Sequence, residues 1–109
     1  MSDNFYSADG IKSLRKLRDL RPNLFKAFME FDTKVFEEGA LSVKTKELIA
    51  VAAAHITQCP YCIDTHVKRA VMAGATEEEV AESVFVAMAL RAGGSFAHGS
   101  LAMHSLEHQ

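Results

Sequence analysis

The sequence has little of what marks the specialised classes of protein. Its 12 Lys and Arg nearly balance its 14 Asp and Glu, the net charge is -2, and no basic stripe is interleaved with aromatics. That leaves no electrostatic footprint for nucleic acid or an anionic membrane surface, and neither is expected as a partner. The longest apolar run, Leu48 to Ile56, falls far short of the roughly 20 residues that a bilayer span requires. The polar start "MSDNFYSADG" has no signal-peptide core, so the expected location is cytoplasmic. Two prolines and six glycines restrict punctuation to single turns, without linker, repeat or low-complexity tract. No period-2 alternation lasts more than a few residues, which argues against a β class.

What remains is an ordinary globular balance, 49% hydrophobic and 24% charged over 109 residues, which predicts one domain spanning 1–109. Helix start and stop signals recur, so the fold class is read as all-α: a compact bundle of about six helices. A charged helix is expected from Asp9 to Leu20. A second starts at Pro22, where a missing N–H is harmless, and ends at a Gly39 cap. Along it Leu24, Phe25, Phe28, Phe31, Val35 and Phe36 form an apolar side, read as core. Ser42 caps a third helix, Val43 to Thr57, whose second half is apolar all round. Such a helix runs through the middle of a bundle or has a face covered by another subunit, so a homo-oligomer is expected. Cys59 and Pro60 open a fourth helix that closes at Gly74. "TEEE", residues 76 to 79, is a capping box for a fifth, with Val80, Val84, Phe85 and Met88 inward and Gly93-Gly94 at its end. Ser95 caps a sixth, running to about Leu106.

Cysteine is the scarcest chemical resource, and both copies lie in "QCPYCIDTH", residues 58 to 66. In a reducing compartment a C-x-x-C pair reads as catalytic or metal-binding rather than as a static staple. At 100° per residue Cys59, Cys62 and His66 fall within an arc of about 60° on one helix. The helix N-terminus and an imidazole one turn away both favour a thiolate at Cys62. Cys62 is therefore the candidate nucleophile, His66 its base, and Cys59 the thiol that condenses with a sulfenic acid on Cys62. A thioredoxin-like fold is not expected, because no strand precedes Cys59.

The stretch "KELIAVAAAHITQCPYCIDTHVKRAVMAGATEEEVAESVFVA" resembles the carboxymuconolactone decarboxylase superfamily, in its alkylhydroperoxidase D-like branch, over about residues 40 to 95. The shared pattern is Glu47, eleven residues, Cys59, Cys62, three residues and His66, followed by "AGAT" and an acidic helix start. The resemblance implies an all-helical, cofactor-free thiol peroxidase, assembled as a trimer or hexamer. In it Cys62 attacks a hydroperoxide, Cys59 resolves, and His66 and Glu47 relay protons. The implied reductant is a dithiol, either a lipoyl-bearing adaptor or a thioredoxin-like protein. The decarboxylase branch generally lacks the paired cysteines, which argues against lactone decarboxylation. Along one straight helix Glu47 would lie about 18 Å from Cys59, so the chain must fold back near Pro60 for the relay to form.

Two other readings stand beside this one. Cys59, Cys62 and His66, with His55 or Glu47, could ligate zinc, although structural zinc motifs normally pair two separated C-x-x-C units. Alternatively the cysteines are small buried groups in a non-enzymatic helical oligomer or ligand-binding module. His55 and His98 are read as structural, His104 and His108 as solvated, and Tyr61 as packing or lining an entrance.

Overall fold

Local capping chemistry sets most of the helix boundaries. The computed structural model describes residues 8–109; residues 1–7, which hold most of the polar start read above, lie outside the described residues. Five α-helices follow: α1 (Ala8–Leu20), α2 (Pro22–Val35), α3 (Val43–Thr57), α4 (Pro60–Met72) and α5 (Glu77–Glu107). Pro22 occupies the first turn of α2. The Ser42 hydroxyl accepts the Thr45 N–H at 3.1 Å to start α3. At the start of α5 the capping box is reciprocal: Thr76 Oγ1 accepts the Glu79 N–H at 3.1 Å, and Glu79 Oε1 accepts the Thr76 N–H at 2.9 Å. α4 closes on Gly74 at φ 97, with Ala75 N–H bonded to Ala70 O and Gly74 N–H to Val71 O, a Schellman arrangement that only a left-handed residue completes comfortably.

The all-α class is as expected, but two glycine readings are corrected. α5 is one helix of 31 residues that runs straight through Gly93-Gly94, so the separate sixth helix does not form. Among the described residues only Gly74 is a glycine with positive φ. A glycine inside a helix costs about 1 kcal/mol relative to alanine, too little to break an otherwise continuous helix. Gly39 is likewise no left-handed cap: α2 ends earlier, at Val35, and Lys46 Nζ donates to Val35 O at 2.7 Å and to Glu37 O.

α3, α4 and α5 pack together, and α1 packs on α2. The core is Val51, Ala70 and Ala75, flanked by Leu48, Val67, Val80 and Val84. α5 turns Val80, Val84 and Ala87 inward, whereas Phe85 and Met88, both expected inside, are 64% and 55% exposed. The α2 stripe read as core is also uncovered within the chain: Phe28 and Phe31 are 60% and 67% exposed, and α2 buries no residue. The chain is accordingly elongated, 53 × 34 × 32 Å, with a radius of gyration of 18.2 Å. A compact domain of this length has about 13 Å. α5 is also long and apolar enough, by length and composition alone, to cross a membrane, with a mean hydropathy of 1.2 over its most apolar 18-residue window. Its valines, phenylalanines, leucines and alanines carry that average but are broken up by Arg91, glycines and serines, which is why run length did not reveal it.

Lys44 on α3 meets Glu79 on α5 at 2.9 Å. The Thr76 backbone N–H, and after it the Lys44 ammonium, hold the Glu79 carboxyl below the ordinary carboxylate range. A depressed folded value means that the stabilisation is complete above the unfolded pKa and is lost as pH falls through the folded one. Thr76→Ala is expected to lower unfolding stability at neutral pH by about 1 kcal/mol in urea titrations at fixed protein concentration. The deficit of Glu79→Gln relative to the natural protein should shrink on acidification and vanish once Glu79 is protonated.

Candidate functional site

The site is built on a sharp reversal between α3 and α4. Gln58 adopts the left-handed conformation (φ 59, ψ 49), a sparsely occupied region for a residue with a Cβ. It ends α3, and the Cys59 N–H returns to Ala54 O at 3.1 Å. Pro60 then occupies the first turn of α4, which folds back along α3. This is the reversal that the spacing between Glu47 and Cys59 demanded.

Cys59 is the N-cap of α4, and its Sγ accepts the Cys62 N–H at 3.2 Å. The two cysteines form a disulfide with Cα atoms 5.2 Å apart, an ordinary span for such a bridge, and both residues are half-buried. His66 follows Cys62 by one turn of α4, and Ile63 and Val67 beside them are half-buried.

Glu47 is 3% exposed, and a buried carboxylate is tolerated only when it is hydrogen-bonded. Its Oε2 lies 2.6 Å from His66 Nδ1, across the α3–α4 interface. An ionised carboxylate is an acceptor only, so Nδ1 must carry the hydrogen and donate. The neutral imidazole then has its lone pair on Nε2, the nitrogen left for chemistry. The Phe36 ring stacks on the imidazole, with centroids 5.1 Å apart and planes inclined by 22°. Glu47 also lines a surface hollow of about 290 Å³ with Val43, Arg69, Met72 and Ala73.

The structure thus joins Glu47 to His66 and Cys59 to Cys62, and places the two pairs on neighbouring turns of one helix pair. His55 is outside this arrangement: its Nδ1 lies 2.7 Å from Val51 O on its own helix. His98 lines a different hollow, with Ile56, Arg91 and Ser95, and His104 stacks on His108 at 4.0 Å near the end of α5. Among the described residues no group of three or more His, Cys, Asp or Glu side chains is placed to hold a metal ion. Phe36 and Lys46 were not read from the sequence as neighbours of the site. Phe36 sat at the end of an aromatic stripe, and a periodic pattern carries no information about which ring leaves the stripe.

Residues 22–104 match the model of the carboxymuconolactone decarboxylase family, and the chain belongs to that family. It is 49% identical over 81 residues to the uncharacterized protein 4 in the cox locus of Paracoccus denitrificans, covering 74% of this chain and 73% of that one. A crystal structure from Methanobacterium thermoautotrophicum is similar at a TM-score of 0.75 and 34% identity, over 79% of this chain and 97% of that one. The apo form of a carboxymuconolactone decarboxylase family protein from Legionella pneumophila gives a TM-score of 0.71 and 36% identity, over 92% and 89%. A family protein from Thermotoga maritima, described with a possible part in an antioxidative response, gives 0.56 and 32%, over 74% and 93%.

The tautomer is directly measurable. Long-range ¹H–¹⁵N spectra of the natural protein should show His66 protonated at Nδ1 and unprotonated at Nε2. In Glu47→Leu that preference should disappear, whereas Glu47→Gln, which still offers an amide oxygen, should keep it.

Proposed function

We propose that this protein is a thiol-dependent peroxidase that reduces hydroperoxides through a Cys62/Cys59 dithiol-disulfide cycle. One observation carries the reading: a buried carboxylate fixes the tautomer of an imidazole one helical turn from Cys62, whose sulfur is bridged to Cys59. The described form corresponds to the oxidised half of such a cycle. The antioxidative description of the Thermotoga relative supports the same direction.

In the reduced enzyme His66 Nε2 takes the proton of the Cys62 thiol. The thiolate attacks the distal oxygen of ROOH and the O–O bond breaks. Cys62 becomes a sulfenic acid, and ROH leaves with the proton that His66 returns. The Cys59 thiolate then attacks the Cys62 sulfur; hydroxide departs, takes up the Cys59 proton and leaves as water, and the disulfide forms. Two electrons have moved from sulfur to peroxide. A dithiol reductant, lipoyl-bearing or thioredoxin-like, restores both thiols by two exchanges and leaves as its own disulfide. Glu47 pairs with the imidazolium while it holds the proton. No cofactor enters these steps.

The elongated chain and the uncovered apolar faces of α2 and α5 favour a homo-oligomer, a trimer or hexamer, because soluble monomers rarely expose contiguous apolar patches larger than a few hundred Å². Subunit contacts would cover the same α5 surface that makes that helix apolar enough for a membrane, so a cytoplasmic oligomer fits both features. Gly93, Gly94 and Gly99 have nothing within 4 Å of where a Cβ would stand, which leaves room for a close helix contact.

Two experiments test this reading. Intact mass spectrometry of the reduced protein after one equivalent of peroxide should show loss of two hydrogen atoms; Cys62→Ser should abolish it, and Cys59→Ser should stop at a single sulfenic acid. Full peroxide turnover in Cys62→Ser would defeat the assignment of Cys62 as the attacking thiol, and two thiols inert to disulfide reagents at neutral pH would favour the non-enzymatic module instead. Sedimentation should give three or six times 12.0 kDa, and Phe28→Glu should shift the protein toward monomer. A natural protein that is monomeric at micromolar concentration would remove the assembly.

A further inference from the structure

We propose that Phe36 is a positioning residue for His66, and that Lys46 holds Phe36 in place. Phe36 lies outside the Glu-Cys-Cys-His pattern and outside the helices that carry it, at the C-cap of α2. The inference rests on the reading of His66 as the base for Cys62.

A hydrogen bond at Nδ1 fixes one atom of the imidazole and one direction, and leaves the ring free to pivot about that bond. Any pivot moves Nε2, which sits on the far side of the ring. A second constraint on the ring plane is needed, and Phe36 supplies it: a nearly parallel face at 5.1 Å limits tilt and keeps water from that side. Of the stripe Leu24, Phe25, Phe28, Phe31, Val35 and Phe36, only Phe36 is half-buried; the others are exposed.

The placement of Phe36 is itself controlled from α3. Lys46 Nζ donates to the carbonyls of Val35 and Glu37, the residues on either side of Phe36. Helix ends leave carbonyls without partners, and here one ammonium bonds the last carbonyl of α2, Val35 O, and the carbonyl of Glu37 just beyond the C-cap. Glu38 Oε2 accepts the Val43 N–H at 3.1 Å, which ties the following segment to the start of α3. Lys46 and Glu47 are adjacent on α3 and point about 100° apart. One turn of α3 therefore aims the carboxylate at the imidazole edge and clamps the segment whose ring covers the imidazole face.

The test uses the full-length reduced protein, with Phe36→Leu, Phe36→Tyr, Lys46→Met and His66→Gln compared by the pH profile of Cys62 alkylation and by the ¹⁵N signature of the His66 ring. Phe36→Leu keeps an apolar side chain but no flat face. It should slow Cys62 alkylation at neutral pH about tenfold, a part of the contribution expected from a placed base. Its helical content and assembly state should not change. Phe36→Tyr should stay near the natural rate, and Lys46→Met should shift the profile in the same direction as Phe36→Leu by a smaller amount. If Phe36→Leu matches the natural protein in both readouts while His66→Gln is slow, the positioning role is wrong and the base assignment survives. If His66→Gln is as fast as the natural protein, the base assignment is wrong and the inference falls with it.

Discussion

The hydrogen bond between Glu47 and His66 is the constraint on which the arrangement of α3 and α4 depends. A carboxylate that is 3% exposed without a partner would cost several kcal/mol, so the fold must deliver a donor to it. The donor lies 19 residues away, on the next helix. Slipping α4 along α3 by one residue would move His66 about 1.5 Å along the axis and turn it about 100° away, which breaks a 2.6 Å contact. The polar pair thus selects one register from an interface that is otherwise built of small and branched apolar groups, Val51, Val67 and Ala70, which carry no directional bond of their own. The strained turn at Gln58 persists because both ends of the hairpin are fixed in this way.

Helix starts were legible in the sequence because capping is local chemistry. Ser42, Cys59, Pro22 and the Thr76–Glu79 box each satisfy or dispense with N–H groups within three residues, and no distant partner can overrule them. Glycine is different: it permits a left-handed turn without requiring one. Gly74 takes that conformation because Ala75 buries itself against the core, whereas nothing at Gly93-Gly94 rewards leaving the helix, and α5 continues. The spacing of Cys59, Cys62 and His66 on one face was legible for the same local reason. That Glu47 reaches His66 was not derivable from spacing, since it requires the reversal at Gln58; only the family resemblance pointed to it. The aromatic stripe on α2 was misread because periodicity reports that a face is apolar, not what covers it.

The division of labour among the helices follows from this. α3, α4 and the first half of α5 share the small buried core, and every residue of the candidate site except Phe36 lies on α3, on α4 or at the N-cap of α4. The α1–α2 pair and the second half of α5 extend away with apolar side chains exposed. α2 is attached near the site through Lys46 and Phe36. α5 reaches the same region, since Arg91 Nη1 donates to Ile56 O at 2.8 Å just before the α3–α4 turn. Whatever covers the outer faces can therefore bear on the site through the end of α2 or through this contact, while the Glu47–His66 bond itself remains internal to the hairpin.

The placement of both cysteines in the first turn of α4 limits what oxidation can do to the fold. Cys59 Sγ already lies where an N-cap acceptor belongs and takes the Cys62 N–H, so the sulfur is held by the helix as well as by its bridge. With Cα atoms 5.2 Å apart, closing the bridge constrains a single helical turn and no tertiary contact. A crosslink over so short a loop removes little entropy from the unfolded chain, so it contributes little to stability. Opening it should therefore leave α4, His66 and Glu47 where they are. A structural staple gains from closing a long loop, whereas a dithiol that must open and close repeatedly is best placed where neither state disturbs its neighbours. The geometry around Cys59 and Cys62 satisfies the second requirement and not the first.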